Sequence, residues 1–220
     1  FDHKSFTGRS GTFFKYEGLG STYWHMVSKL LLAVQECFYR AVDETASEEV
    51  QADLYRRYYE IRAGIGVTKS PELYGAFPTD PYSHTPAHTG VQQPGMTGQV
   101  KEDVISRFGE LGVIISDGRI EFRPLLLRKE ELLTEAADFT YVDMEGEFQP
   151  ISLETGSLAF TIMQVAVVYH SGESEKTVIT RREGRREHNS CLRLDRETSS
   201  SIFGRSGDIR RVDVYFKTER

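Results

Sequence analysis

Cysteine is nearly missing from this chain. Cys37 and Cys191 stand alone, too few for a disulfide framework or a cysteine-based zinc site. No apolar run approaches the ~20 residues that cross a bilayer, and the N-terminus has no charged-then-apolar signal region. The chain therefore reads as cytoplasmic, with no membrane partner. A basic surplus is absent as well: 27 Lys and Arg against 33 Asp and Glu leave a net charge of −6, which argues against a nucleic-acid partner. What is present is globular. The 220 residues are 39% hydrophobic and 11% aromatic, enough large side chains for a core and unlike a collagenous or disordered chain. The length allows one large domain or two small ones. Beginning at Phe1 rather than Met, the sequence is read as an excised piece of something longer.

Residues 22–112 read as helical, apart from one long loop. From Tyr23 the apolar positions Val27, Leu30, Leu31, Val34, Phe38 and Ala41 keep the spacing of a buried helix stripe, with Ser21 as N-cap. Leu32 and Cys37 widen the apolar face. A second helix is predicted from Glu48 to Ile61, its stripe Val50, Leu54, Tyr58 and Ile61, making an antiparallel helical hairpin with the first. A third runs from Gly98 to Leu111, with Thr97 as N-cap and Val100, Val104, Phe108 and Leu111 on one face. Between the second and third lies the loop 69–96, which holds five of the seven prolines. Structureless loops of that length are uncommon in compact domains and usually functional or disordered; the prolines and the aromatic residues Tyr74, Phe77 and Tyr82 favour an ordered one.

After Gly112 the period changes to two. Val113–Ile115 and Arg119–Arg123 flank the turn signal Asp117-Gly118 and read as a hairpin. Further strands are predicted at 139–142, 158–170, 176–182 and 191–194. Arg181 to Arg186, broken by Glu183-Gly184, reads as a solvated hairpin tip. Asp195 caps a short helix that ends at Gly204, and 209–216 closes the chain as a strand. Helices first and strands second give an α+β chain: helical residues 1–112 and, in 113–220, an antiparallel β-sandwich.

At Met96 to Leu127 the order of parts becomes specific. Thr97-Gly98 opens a helix, the helix ends in Glu110-Leu111-Gly112-Val113, and Asp117-Gly118-Arg119-Ile120-Glu121-Phe122-Arg123-Pro124 follows. This resembles the end of the catalytic barrel in glycoside phosphorylases of the cellobiose phosphorylase type and their six-hairpin (α/α) barrel relatives. The resemblance implies that residues 1–112 are the last helical hairpins of a toroid and that 113–220 form a jelly-roll-like sandwich beside it. It implies a parent enzyme that phosphorolyses or hydrolyses a glycosidic bond, with inorganic phosphate as co-substrate and no other cofactor. Thr97 and Gly98 then help hold phosphate, and Gln92 or Gln93 takes the place of a nearby glutamine. A helix N-terminus presents free N–H groups and a positive dipole to such an anion.

Other candidates surround these. His84 and His88 have the i, i+4 spacing of helical zinc sites, but Pro86 between them opposes a helix, so sugar or phosphate contact or plain loop packing is expected and no metal. Trp24-His25 suits a sugar ring stacked on the indole beside a polar group, against the alternative of a core anchor. Tyr82 shares the proline-rich loop. Glu17 and Asp80 are the catalytic candidates, although glycoside chemistry needs two carboxyls, or one plus phosphate, and no pair is evident. The expected function is thus a fragment of a carbohydrate-active enzyme, inactive alone, whose partners are carbohydrate and the remainder of the parent chain. The alternative is a non-catalytic glycan-binding or supporting module. Removal of preceding helices is expected to expose Leu31, Leu32 and Cys37 and to drive homodimerisation through the helical half.

Overall fold

The computed structural model describes residues 24–65 and 100–217. The chain is α+β and divides between Arg107 and Phe108 into two compact units. Among the described residues no helix is long and apolar enough to cross a membrane.

In the first unit, α1 (Trp24–Asp43) and α2 (Glu48–Gly64) form the expected hairpin. The turn between them is a Schellman closure. The N–H of Thr45 bonds to the Val42 carbonyl and that of Ala46 to the Ala41 carbonyl, with Thr45 itself at φ +52°, a position glycine usually takes. Ser47 then caps α2, its hydroxyl accepting from the Val50 N–H, and Glu48 and Glu49 in the first turn suit the helix dipole. The buried row of α1 is Ser28, Leu31, Gln35, Phe38 and Ala41. Leu30, expected inside, is exposed, and Leu32 and Val34 are only half-buried. The rotation follows from Gln35. Its amide Nε2 donates to the Tyr58 hydroxyl at 3.2 Å and to the Ser106 carbonyl at 2.9 Å, and a buried amide is held where it finds such partners. Of the expected exposed patch, Leu31 is buried and Cys37 is exposed. In α2, Tyr58 and Tyr59 face inward and Val50 faces solvent.

The third helix, α3 (Val100–Glu110), also turns differently from the expected stripe. Glu102, Ser106 and Glu110 are buried, whereas Val104 and Ile105 are exposed. The apolar positions and these polar ones share the same helical period. Period alone cannot say which set faces inward.

The second unit opens with the hairpin β1 (Val113–Ser116) and β2 (Arg119–Phe122). Its turn residues Asp117 and Gly118 both have positive φ, as a type I′ turn requires. The predicted strand at 191–194 appears as a short pairing on the outer edge of β2, where the Phe122 N–H bonds to the Leu192 carbonyl and the Leu194 N–H to the Ile120 carbonyl. A one-turn 3-10 helix (Lys129–Glu131) leads to a second hairpin, β3 (Ala137–Val142) and β4 (Phe148–Leu153).

The remaining strands are β5 (Ser157–Ile162), β6 (Val165–Gly172), β7 (Lys176–Arg181), β8 (Arg186–Asn189) and β9 (Ile209–Lys217). They form one sheet in the order β5-β6-β9-β7-β8. Two expectations change here. The long strand at 158–170 is a hairpin, because Met163 and Gln164 both take positive φ and build an I′ turn from residues with no turn signature. The sheet is mixed rather than wholly antiparallel, because β9 lies parallel to β6. Parallel neighbours need a long crossover, and residues 173–208, with β7, β8 and helix α4 (Arg196–Phe203), supply it. Asp195 caps α4 as expected, its carboxylate accepting from the Thr198 N–H at 2.7 Å. One face of the sheet, with Val167, Tyr169, Ile179, Val212 and Val214, joins Ile120, Phe122, Leu194 and Ile202 in the main core.

Candidate functional site

Most of the sequence-derived site falls on undescribed ground. Glu17, Asp80, Tyr82, His84, His88, Gln92, Gln93, Thr97 and Gly98 lie outside the described residues, and Trp24 and His25 are placed only as the first backbone residues of α1. The structure therefore neither brings these residues together nor separates them.

What the described residues do bring together is a charged cluster on the sheet face opposite the core. The pleat sends Val212, Val214 and Phe216 of β9 into the core and Arg211, Asp213 and Tyr215 to the other side. Register then builds rows across three strands. His170, Tyr215 and Lys176 share one row, Val168, Asp213 and Val178 the next, and Ala166, Arg211 and Thr180 the third. His170 Nε2 lies 2.7 Å from Asp213 Oδ1. Arg211 donates to the same oxygen from Nε at 2.9 Å and from Nη2 at 2.5 Å. The His170 ring stacks on Tyr215 at 4.6 Å with 15° between planes, and Lys176 Nζ sits 4.5 Å from the Tyr215 ring centre. Burial pushes the Asp213 carboxyl up, but the bonds from His170 and Arg211 more than reverse this and hold it below the usual range. Asp213 is thus an ionised acceptor that fixes two cationic or donor groups, and it is the wrong way round for a general acid.

The same direction recurs elsewhere in this unit. Asp143 closes the β3–β4 turn by accepting from the N–H groups of Glu145 and Glu147 at 3.0 Å and from Gln149 Nε2 at 2.8 Å. Burial raises its carboxyl, and these bonds together with Arg210 bring it below its ordinary value. At the β7–β8 tip, Glu187 is lowered by its bidentate pairing with Arg181, at 2.8 and 3.1 Å. Each of these carboxylates braces a turn or a strand pair. Among the described residues the carboxyl that shifts upward is Asp103 in α3, through burial first and the neighbouring Glu102 second. Sequence reasoning passed over it, since nothing in the pattern of α3 distinguishes Asp103 from any other acid near a helix start.

In the β3–β4 hairpin the strand expected at 139–142 is present as β3, whereas its partner β4 carried no strand expectation. Register places Val142 opposite Phe148 and Thr140 opposite Pro150 on one side, and the Phe148 ring is 75% exposed. On the other side Phe139 and Tyr141 lie with planes 10° apart. Among the described residues no group of three His, Cys, Asp or Glu is disposed to hold a metal ion. Comparison with known proteins matches the chain to no family model and to no curated protein.

Proposed function

We propose that this chain is part of a carbohydrate-active enzyme that phosphorolyses or hydrolyses a glycosidic bond. In this reading residues 113–220 are a jelly-roll-like accessory, the helical part closes a six-hairpin toroid, and the chemistry resides with the helical side and the rest of the parent chain. Carbohydrate is the substrate, with inorganic phosphate as co-substrate held by Thr97 and Gly98. The observation that carries the reading is the order of parts: a helix ending at Glu110, the Leu111-Gly112 break, the Asp117-Gly118 hairpin and then the β-rich unit. The carboxylates of that unit support its accessory role, because Asp143, Glu187 and Asp213 are all lowered by their partners, whereas a glycosidic acid needs a raised value.

A second reading has one observation in its favour. Phe148, 75% exposed on an open hairpin face, offers the kind of bare ring on which a non-catalytic glycan-binding module stacks a sugar. The two readings agree that the chain alone turns nothing over. The purified chain, assayed on β-glucosides with and without phosphate, is expected to release no product above the buffer rate. Turnover that disappears in Asp80→Asn or Glu17→Gln would contradict this and place a complete site within the chain.

A further inference from the structure

We propose that α1 pairs antiparallel with α1 of a second copy of this chain, through a seam of Met26, Leu30, Ala33 and Cys37. The inference rests on the rotation of the helix and is independent of the reading above. At 100° per residue, the buried row Ser28, Leu31, Gln35 and Phe38 occupies one side of α1. Met26, Leu30, Ala33 and Cys37 recur at intervals of four, three and four on the far side, and all four are exposed. Met26 retains 53% and Leu30 52% of its surface. This is the spacing of a coiled-coil seam, on a helix whose opposite side is already packed.

The flanks of the seam identify the occupant. Lys29 and Glu36 line one edge, one heptad apart and exposed, and Val27 and Val34 line the other, both half-buried. Aligned antiparallel about a two-fold axis, Leu30 meets Ala33 of the second copy and Met26 meets its Cys37, large against small in each layer. Antiparallel pairing also sets each edge against the same edge of the partner. Lys29 therefore meets Glu36 of the second copy, twice, and Val27 meets its Val34, twice. A parallel pairing sets Lys29 against Val34 and leaves both charges unmatched. Self-complementarity of this kind is what an isologous two-fold interface requires. The seam is about 16 Å long and smaller than the ~800 Å² per partner of a standard interface, so the dimer is expected to form in the micromolar range.

Sedimentation equilibrium of the full chain between about 5 and 200 µM, a range that brackets micromolar affinity, tests this. The mass is expected to rise from 25.0 kDa toward twice that value. Lys29→Glu is expected to weaken association about tenfold, roughly one close charge pair on each side of the axis, and Lys29→Glu with Glu36→Lys to restore it. Leu30→Glu should abolish it. In a Cys191→Ser background, Met26→Cys is expected to cross-link to Cys37 of the second copy under mild oxidation. Cys37 alone should not cross-link, because antiparallel pairing separates the two copies of it by about 16 Å along the axis. A monomer at 200 µM, a dimer indifferent to Lys29→Glu, or a Cys37–Cys37 cross-link would each overturn the proposal. The first outcome would leave the seam to a helix of a longer parent chain.

Discussion

Gly112→Ala is expected to remove about 4 kcal/mol of stability, near the top of the range for a single substitution, or to prevent the second unit from folding. Gly112 sits at φ +71°, and a Cβ there would lie 2.0 Å from the Arg123 carbonyl oxygen and 2.4 Å from the Pro124 nitrogen. Both neighbours are backbone, so no side chain can swing aside. The Arg123 N–H also bonds to the Gly112 carbonyl at 2.7 Å, and moving the strand away breaks that bond. A left-handed conformation alone costs a non-glycine residue about 1–3 kcal/mol; the rest of the expected loss is collision. Gly118→Ala separates the two causes. Gly118 has nearly the same φ, +69°, but open space where its Cβ would be, so its substitution is expected to cost only about 1 kcal/mol. Urea unfolding of both variants measures the difference. Equal losses would mean that the close approach of Gly112 to Arg123 contributes nothing.

Tyr169→Ala is expected to cost about 3–5 kcal/mol, the range for deleting a buried aromatic ring. Tyr169 is fully buried at the centre of the main core. Phe122 and Phe160 meet it edge-on at 5.9 and 5.1 Å, and Phe216 packs at 5.4 Å. Its hydroxyl donates to the Leu111 carbonyl at 2.5 Å. Tyr169→Phe keeps the ring and removes that donor, so about 1–3 kcal/mol is expected for it. Thermal unfolding of the two variants reports the split, and an alanine loss below that of phenylalanine would contradict this account of the core. Gly112 and Tyr169 act on the same spot. The Leu111-Gly112 step, on which the resemblance to six-hairpin enzymes partly rests, has a packing reason of its own: only glycine fits beneath Arg123, and the Leu111 carbonyl anchors the core tyrosine.

The features legible in the sequence were those written in local chemistry. Asp117-Gly118 reads as a hairpin because the turn needs two positive φ values, and Asp195 reads as a cap because its carboxylate reaches the N–H of Thr198. The Met163-Gln164 turn has the same backbone geometry without the residues that usually signal it; pairing along β5 and β6 holds it in place. The insertion of β9 between β6 and β7 is a choice between distant strands, and alternation along β9 says only that its two faces differ. Helix direction was harder still. Gln35 and Glu102 face inward where period alone favours Leu30 and Val104, because tertiary partners rather than hydropathy decide the rotation. The His170–Asp213–Arg211 cluster was illegible for the same reason: His170 lies more than forty residues from Arg211 and Asp213 and meets them only through the parallel register.

Amide NMR of the chain, titrated separately with phosphate and with cellobiose, tests the proposed function most directly. The account predicts that phosphate, up to the tens of millimolar that weak anion binding requires, shifts the amides of Thr97, Gly98 and Gln99 and leaves β3 and β4 unmoved. Silence at Thr97–Gln99 in phosphate, together with cellobiose shifts confined to Phe148 and its neighbours, would contradict it and leave the chain a glycan-binding module.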